Sequence, residues 1–360
     1  MPIKTTTVLS VTQPEVDRVD TQVSGLLAQI EERARRVEEL ATEVTRLTAL
    51  IGGMPAPAPP PAVTGGLRVS GAALMTAAGL PVQCRGVEAM WGPTSANNVA
   101  KAVGAIKGLG ANFVAPLFQR GQATAAHVRA CIQECERQQM GCAVNADHVG
   151  EGRTWLKRTE IVEVCNAGKA VILQCEVELG SKDSMSAAQW RELAISFVHD
   201  LRDAGHTAPI RVGSPSGGRS PSYALQMGKT VLEEDYLHNL MFTWQAYWDL
   251  DPSTEWEYAT SEGYPRGTPG ALACAAALKN SGLCWLVGLD GADDIGPTPY
   301  IALAQKLHEY GIAWQWWAMF VGDQYGNGLV SDPLDSYRPR PPFGPEVAGL
   351  LRAQSRPVIV

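Results

Sequence analysis

A seven-residue period from residue 16 to residue 51 limits how this chain can be organised. Val16, Val23, Ile30, Val37, Val44 and Ile51 share one heptad position. Val19, Leu26, Leu40 and Leu47 share the position three residues later, with Arg33 as the exception. A lone helix cannot bury such a stripe, so the period predicts a parallel coiled coil between copies of the chain. The other faces carry charge, with Glu31, Glu32, Arg35, Arg36, Glu38 and Glu39 at the centre. β-branched residues at the first position with Leu at the second lean toward two strands, while Arg33 loosens the seam, so dimer and trimer both stand open. The competing expectation is an amphipathic helix lying on a downstream domain. Residues 1–14 read as an extended leader and 15–52 as the oligomerisation stalk, closed by Gly52 and Gly53. Residues 53–65 are a Pro/Ala-rich linker that favours a semi-rigid polyproline II spacer. Residues 66–360 form the globular remainder.

The net charge of −7 comes without a long basic run, which argues against nucleic acid as a partner. No apolar run approaches the length of a membrane span, and the first twenty residues lack the apolar segment of a secretion signal. The eight cysteines are scattered with no CxxC pair, as expected of buried free thiols. His127, Cys131 and Cys135 would share a helical face at i, i+4 and i+8, where a partly buried surface is a simpler account than a metal site. No metal and no cofactor is expected.

From residue 66 onward, short apolar runs alternate with amphipathic ones. Strands are predicted at 82–86, 112–117, 142–146, 170–177, 210–213, 240–247, 284–288 and 312–317. Helices are predicted near 98–109, 124–139, 153–166, 187–205, 221–229, 270–282, 299–310 and 345–354. Eight strand–helix repeats in about 290 residues match an α/β fold of the (β/α)8 TIM-barrel class. Segments 67–69 and 73–75 read as a hairpin that plugs the barrel floor. A doubly wound open sheet is the competitor, but the Gly-rich phosphate loop usual after its first strand is absent.

In such a barrel, chemistry sits where strands end. Strand one offers Arg85, Glu88 and then Trp91; strand three, Asp147 and His148; strand four, Glu176 and Glu178. Strand six offers Trp244, Gln245 and Tyr247, strand seven Asp290 with Asp293 and Asp294, and strand eight Trp314, Trp316 and Trp317. Aromatic faces stack on sugar rings and paired carboxylates cleave glycosides, so these residue types are compatible with a carbohydrate site.

The run GLRVSGAALMTAAGLPVQCRGVEAMWG resembles the opening of family-five glycoside hydrolases, the cellulase and mannanase group. LGANFVAPLF is similar to that family's second strand, and TEIVEVCNAGKAVILQCEVEL to the helix and fourth strand that deliver its Asn-Glu pair. FTWQAYW, WLVGLDG and IAWQWWAM are similar to its sixth, seventh and eighth strands. The resemblance implies that Glu178 is the acid/base, that Arg85 and Tyr247 support the site, and that Trp316 is a sugar platform. It also implies departures. Ala115 stands where an Arg is expected, Val177 where an Asn is expected, and Gln245 where a His is expected. Leu289 occupies the expected nucleophile position, with Asp290 beside it.

Leucine can neither attack a sugar nor stabilise an oxocarbenium ion, and a lone acid supplies only part of the rate. The sequence therefore predicts a homo-oligomeric fibre or appendage protein whose degenerate glycosidase-like barrel binds host-surface glycan. Arg85, Trp91, Asp147, His148, Trp244, Gln245, Tyr247 and Trp316 would contact sugar. An endoglycanase or depolymerase with a rearranged pair, Glu178 and Asp290, is the alternative; a purely architectural barrel is the third. A stalked barrel without a secretion signal suggests a bacteriophage virion as its location, with other virion proteins held through the N-terminus.

Overall fold

The computed structural model describes residues 13–52, 66–91, 99–118, 123–146, 149–175, 185–246 apart from 217, 267–290, 298–317, 343–353 and 358. The chain divides into two units, Met1–Pro59 and Pro60–Val360.

The first unit holds α1 (Gln13–Gly52), a helix of 40 residues, about 60 Å long at 1.5 Å per residue. Arg35 pairs with Glu32 at 2.6 Å and also with Glu39, and Arg46 pairs with Glu43 at 2.6 Å, all at helical spacing. Exposed pairs of this kind are screened by solvent and contribute little to stability. Val23, Leu26, Ile30 and Leu40 of the heptad stripe are exposed in the single chain, with Ile30 at 61%.

The second unit opens with a small antiparallel sheet of β1 (Arg68–Ser70), β2 (Ala73–Met75) and β3 (Pro81–Val82). Eight parallel strands then close into a barrel. They are β4 (Arg85–Trp91), β5 (Phe113–Phe118), β6 (Gly141–Ala146), β7 (Val171–Cys175), β8 (Ile210–Val212), β9 (Leu240–Ala246), β10 (Trp285–Asp290) and β11 (Ala313–Trp317). The helices between and after them are α2 (Val99–Leu109), α3 (Ala125–Arg137), α4 (Val149–Leu156), α5 (Thr159–Ala167), α6 (Ala187–Asp203), α7 (Ser222–Glu234), α8 (Thr268–Asn280), α9 (Thr298–Glu309) and α10 (Phe343–Ala353). This is the (β/α)8 architecture that the alternation predicts.

Two expectations shift. The helix predicted at 153–166 is two helices, α4 and α5. The first barrel strand starts at Arg85 and runs to Trp91, instead of ending at Gly86. The Asn112 side chain explains the start: its Oδ1 accepts from the Arg85 backbone N–H at 2.7 Å, and its Nδ2 donates to the Gln83 carbonyl at 3.0 Å. Gln83 itself turns its Nε2 to the Ile312 carbonyl at 2.8 Å. Residues before 85 are thus committed to the barrel base, and ladder pairing begins with Arg85 beside Trp314.

Two apolar cores follow from strand alternation. The outer one joins Val87, Val114, Val144, Leu173, Phe242, Trp244, Val287, Leu289, Trp314 and Trp316 to helix residues such as Ile106, Leu278 and Leu303. The inner one contains Phe113, Ala115, Ala143, Ile172, Met241, Leu286 and Ala313, with Leu74 of the small sheet and Leu67 just before it, and among the described residues no residue of a helix. The predicted hairpin therefore does cover the barrel floor. Near the same end, Arg202 of α6 forms a fully buried bidentate pair with Asp235 at 2.8 and 3.0 Å and donates to the Ala208 and Asn239 carbonyls, tying down the starts of β8 and β9.

Candidate functional site

The inner core fixes which residues of each strand face the barrel axis. Counting in twos from those apolar positions toward the strand ends gives Glu88, Leu117, Asn145, Gln174, Thr243, Gln245, Gly288 and Gln315. Arg211 of β8 joins them through its side-chain bonds. Their polar members are all buried. The barrel thus carries a polar layer directly above an apolar floor, on the side where sites form.

The layer is built from two linked groups. Glu88 Oε1 accepts from Asn145 Nδ2 at 3.2 Å, and its Oε2 accepts from Gln315 Nε2 at 2.6 Å. Ala115 is the β5 residue in register with Glu88, and its methyl leaves room for a β4 side chain to reach β6 across β5. On the opposite strands, Arg211 donates to Gln174 Oε1 and Thr243 Oγ1, while Thr243 Oγ1 donates to the Leu286 carbonyl at 3.1 Å. Gln245 lies over Gly288, where any side chain would collide with its amide. A buried carboxylate and a buried guanidinium are each held by amides or hydroxyls, which offsets part of their desolvation.

The same alternation corrects several sequence expectations. Leu289 is fully buried in the outer core, so it is not the strand-seven position that faces a substrate. Position 290 continues the inward series 284, 286, 288, and Asp290 pairs in register with Trp317, which pairs with Glu88. Trp316 is fully buried with its ring edge-on to Tyr300 of α9 at 6.0 Å, so it is no sugar platform. Trp244 belongs to the same outer core. Arg85 opens β4 at the base, out of phase with Glu88, and so lies far from the mouth. Gln245 does face the axis.

Trp91 ends β4, and Asp290 ends β10, but neither side chain is among those described. Asp147, His148, Glu176, Val177, Glu178, Tyr247, Asp293 and Asp294 lie outside the described residues. The sequence reading assigned no role to Glu88, Gln174, Arg211, Thr243 or Gln315. A signal was there for three of them: Gln174, Thr243 and Gln315 each stand two residues beyond an inward apolar residue, Ile172, Met241 and Ala313.

Other candidate chemistry is accounted for by packing. Cys131, Cys135, Cys142 and Cys165 are free and buried between α3, α5 and β6, and burial pushes the Cys165 thiol up to about 12. His127 packs edge-on against Phe118 at 5.6 Å, and burial lowers its pKa. Among the described residues, no group of three or more His, Cys, Asp or Glu side chains could hold a metal ion.

No known family model matches the sequence, and no curated protein matches it. Solved structures do match. The catalytic domain of a mannanase from Streptomyces sp. SirexAA-E aligns with a TM-score of 0.66 at 18% identity, covering 81% of this chain and 93% of that one. A β-mannanase from Streptomyces thermolilacinus, solved with mannohexaose, gives 0.64 at 21% identity over 82% and 98%. A β-glucanase from Saccharophagus degradans, in complex with cellotetraose, gives 0.61 at 12% identity over 83% and 97%. Identities this low establish the shared barrel fold alone.

Proposed function

We propose that the second unit is a glycoside hydrolase acting on a β-linked polysaccharide, with Glu178 as proton donor and Asp290 as the second carboxylate. The observation that carries this reading is the phase of β10. Leu289 packs outward, and position 290 falls in the inward series beside Trp317 and Glu88. Glu176 and Glu178 follow Gln174 by two and four residues in the sequence, and the resemblance gives Glu178 the acid/base role. Two facing carboxylates are what glycoside cleavage needs, one to protonate the leaving oxygen and one to attack or to activate water. The likeness to mannanase and β-glucanase structures supports a β-linked substrate.

Aspartate is one methylene shorter than the glutamate that the resemblance leads one to expect. A shorter second acid widens the gap toward the roughly 6.5–9.5 Å of inverting enzymes, against about 5–5.5 Å in retaining ones. The product is therefore expected with inverted anomeric configuration.

The exposed stripe of α1 supports self-association, which would display several barrels on one rod and raise avidity for a polymer without new contacts. A virion appendage that meets host polysaccharide fits that arrangement. Ala115 and Gln245, standing where an Arg and a His are expected, favour a second reading in which the barrel binds glycan without cleaving it.

Incubation with β-mannan, cellulose and host polysaccharide, followed by reducing-end assay, tests the proposal. Cleavage lost on the order of 1,000-fold in both Glu178→Gln and Asp290→Asn supports it. Retained glycan binding with no new reducing ends would overturn it in favour of the second reading.

A further inference from the structure

Arg33 interrupts the apolar stripe of α1 at its midpoint. Five apolar layers precede it, from Val16 to Ile30, and five follow, from Val37 to Ile51. A charge at the centre of a seam needs a partner, because a buried charge left unpaired is strongly destabilising. Its own helix supplies none. Side chains on one helix meet at spacings of three and four residues, and those positions around Arg33 hold Gln29, Ile30, Arg36 and Val37. Glu31, Glu32, Glu38 and Glu39 fall on the outer heptad positions, and Glu32 and Glu39 are already turned to Arg35. Glu43 pairs with Arg46. Among the described residues of α1, neither Arg33 nor Arg36 takes part in an ion pair.

A second copy supplies no acid either. In a parallel, in-register coiled coil a seam residue meets its own counterpart, and the edges of the seam are lined by the neighbouring e and g positions. Around this layer those positions hold Gln29, Ala34, Arg36 and Ala41. Each added copy thus brings two guanidinium groups and no carboxylate to the middle of the seam.

Such a belt is complementary to a small, doubly charged oxyanion. A guanidinium stays charged at any working pH, and its planar N–H fork matches the oxygens of phosphate or sulfate bidentately. An ion on the axis accepts from several forks at once and replaces their repulsion with charge-assisted hydrogen bonds. Chloride carries one charge and no array of oxygens.

We propose that the Arg33 layer, with Arg36 beside it, is an oxyanion site formed only in the assembled stalk, where phosphate or sulfate on the axis holds the copies parallel and in register. This rests on the self-association of α1 put forward above. A slip of one heptad sets Arg33 against Leu26 or Leu40 of its neighbour and dismantles the site, so the bound ion selects the register.

The test uses the full-length protein and sedimentation velocity over a dilution series, in sodium chloride and in sodium sulfate at matched ionic strength. The parent is expected to dissociate at a concentration at least about tenfold lower in sulfate, as for any ion that binds the assembled form alone. Sodium phosphate should act as sulfate does. Arg33→Leu completes the apolar stripe and should assemble in chloride at least as tightly as the parent does in sulfate, with no preference between the salts. Equilibrium dialysis against radiolabelled sulfate should find more ion bound per parent assembly than per Arg33→Leu assembly.

If sulfate tightens the parent and Arg33→Leu alike, the effect is general salting and the site is overturned. If the parent assembles equally in both salts, the layer is accommodated without an ion, and the assignment fails on that ground. A parent that stays monomeric in both salts removes the self-association reading, and this inference falls with it.

Discussion

Gln245 lies across Gly288: a Cβ added to Gly288 would stand 1.4 Å from Gln245 Oε1. The two residues are in register on neighbouring strands, so the amide folds over its neighbour's missing side chain. Gly288→Ala must displace Gln245 from a buried seat. Because the obstructing atom is the end of a flexible side chain, the fold should survive, with a loss of about 1–3 kcal/mol. Mannohexaose affinity should fall more than stability does, and calorimetry alongside denaturant titration separates the two.

The tryptophans of β9 and β11 should behave as core. Trp316→Ala removes a fully buried ring and should cost about 3–5 kcal/mol. Trp316→Phe, which still fills most of the space, should bind oligosaccharide as the parent does. A selective loss of binding in the Phe variant would restore the platform role that its burial removes.

His206 gives the barrel a defined acid sensitivity. Its ring is fully buried, with Nε2 on the Leu156 carbonyl at 2.8 Å, and its pKa is lowered to about 4. Burial is the main cause; nearby Arg202 adds to it, and the Leu156 bond opposes it. Above the unfolded pKa of about 6.5 both states are neutral and nothing is lost. Between about 6.5 and 4 only the unfolded chain takes up the proton, so stability falls as pH falls, by at most about 3 kcal/mol. Below about 4 the loss is complete. His206→Gln, which does not titrate, should show a shallower fall in denaturation midpoint across that window.

The Arg202–Asp235 pair should be unforgiving. Both side chains are buried, and Asp235 also accepts from the Asn239 backbone N–H at 2.8 Å. Asp235→Ala strands a guanidinium away from water and should cost about 3–5 kcal/mol. Urea denaturation monitored by tryptophan fluorescence reads this directly.

The helix prediction concerns α1 alone. Replacing Val23 and Ile30 with Asp puts charge on the exposed apolar stripe. Sedimentation should shift from a multiple of 38.6 kDa to 38.6 kDa, and oligosaccharide binding per barrel should be unchanged. A parent that already sediments as a monomer would remove the coiled coil from consideration.

The barrel was legible because parallel strands covered on both faces leave continuous apolar runs, and eight of them alternate with amphipathic helices. The same property hid the phase. In CWLVGLD every residue before the Asp is apolar or Gly, so nothing in the segment says whether Leu289 or Asp290 faces inward. Phase comes from across the ladder, where Gln245 sits on Gly288 and Gln315 reaches Glu88. Trp244 and Trp316 misled for a related reason. An aromatic residue in a barrel strand reads as a ligand platform, yet the larger demand for aromatic volume here is between strand and helix. Glu88 went unassigned because its significance lies in two amides from β6 and β11, distant in sequence and brought together only by closure.

The small sheet beneath the barrel has one more implication. With Leu67 and Leu74 packed among Phe113, Met241 and Leu286, the lower end is stoppered. The barrel of the second unit is closed at that end. A long polymer has no way to thread through the barrel from end to end, so access to the polar layer is from one side only.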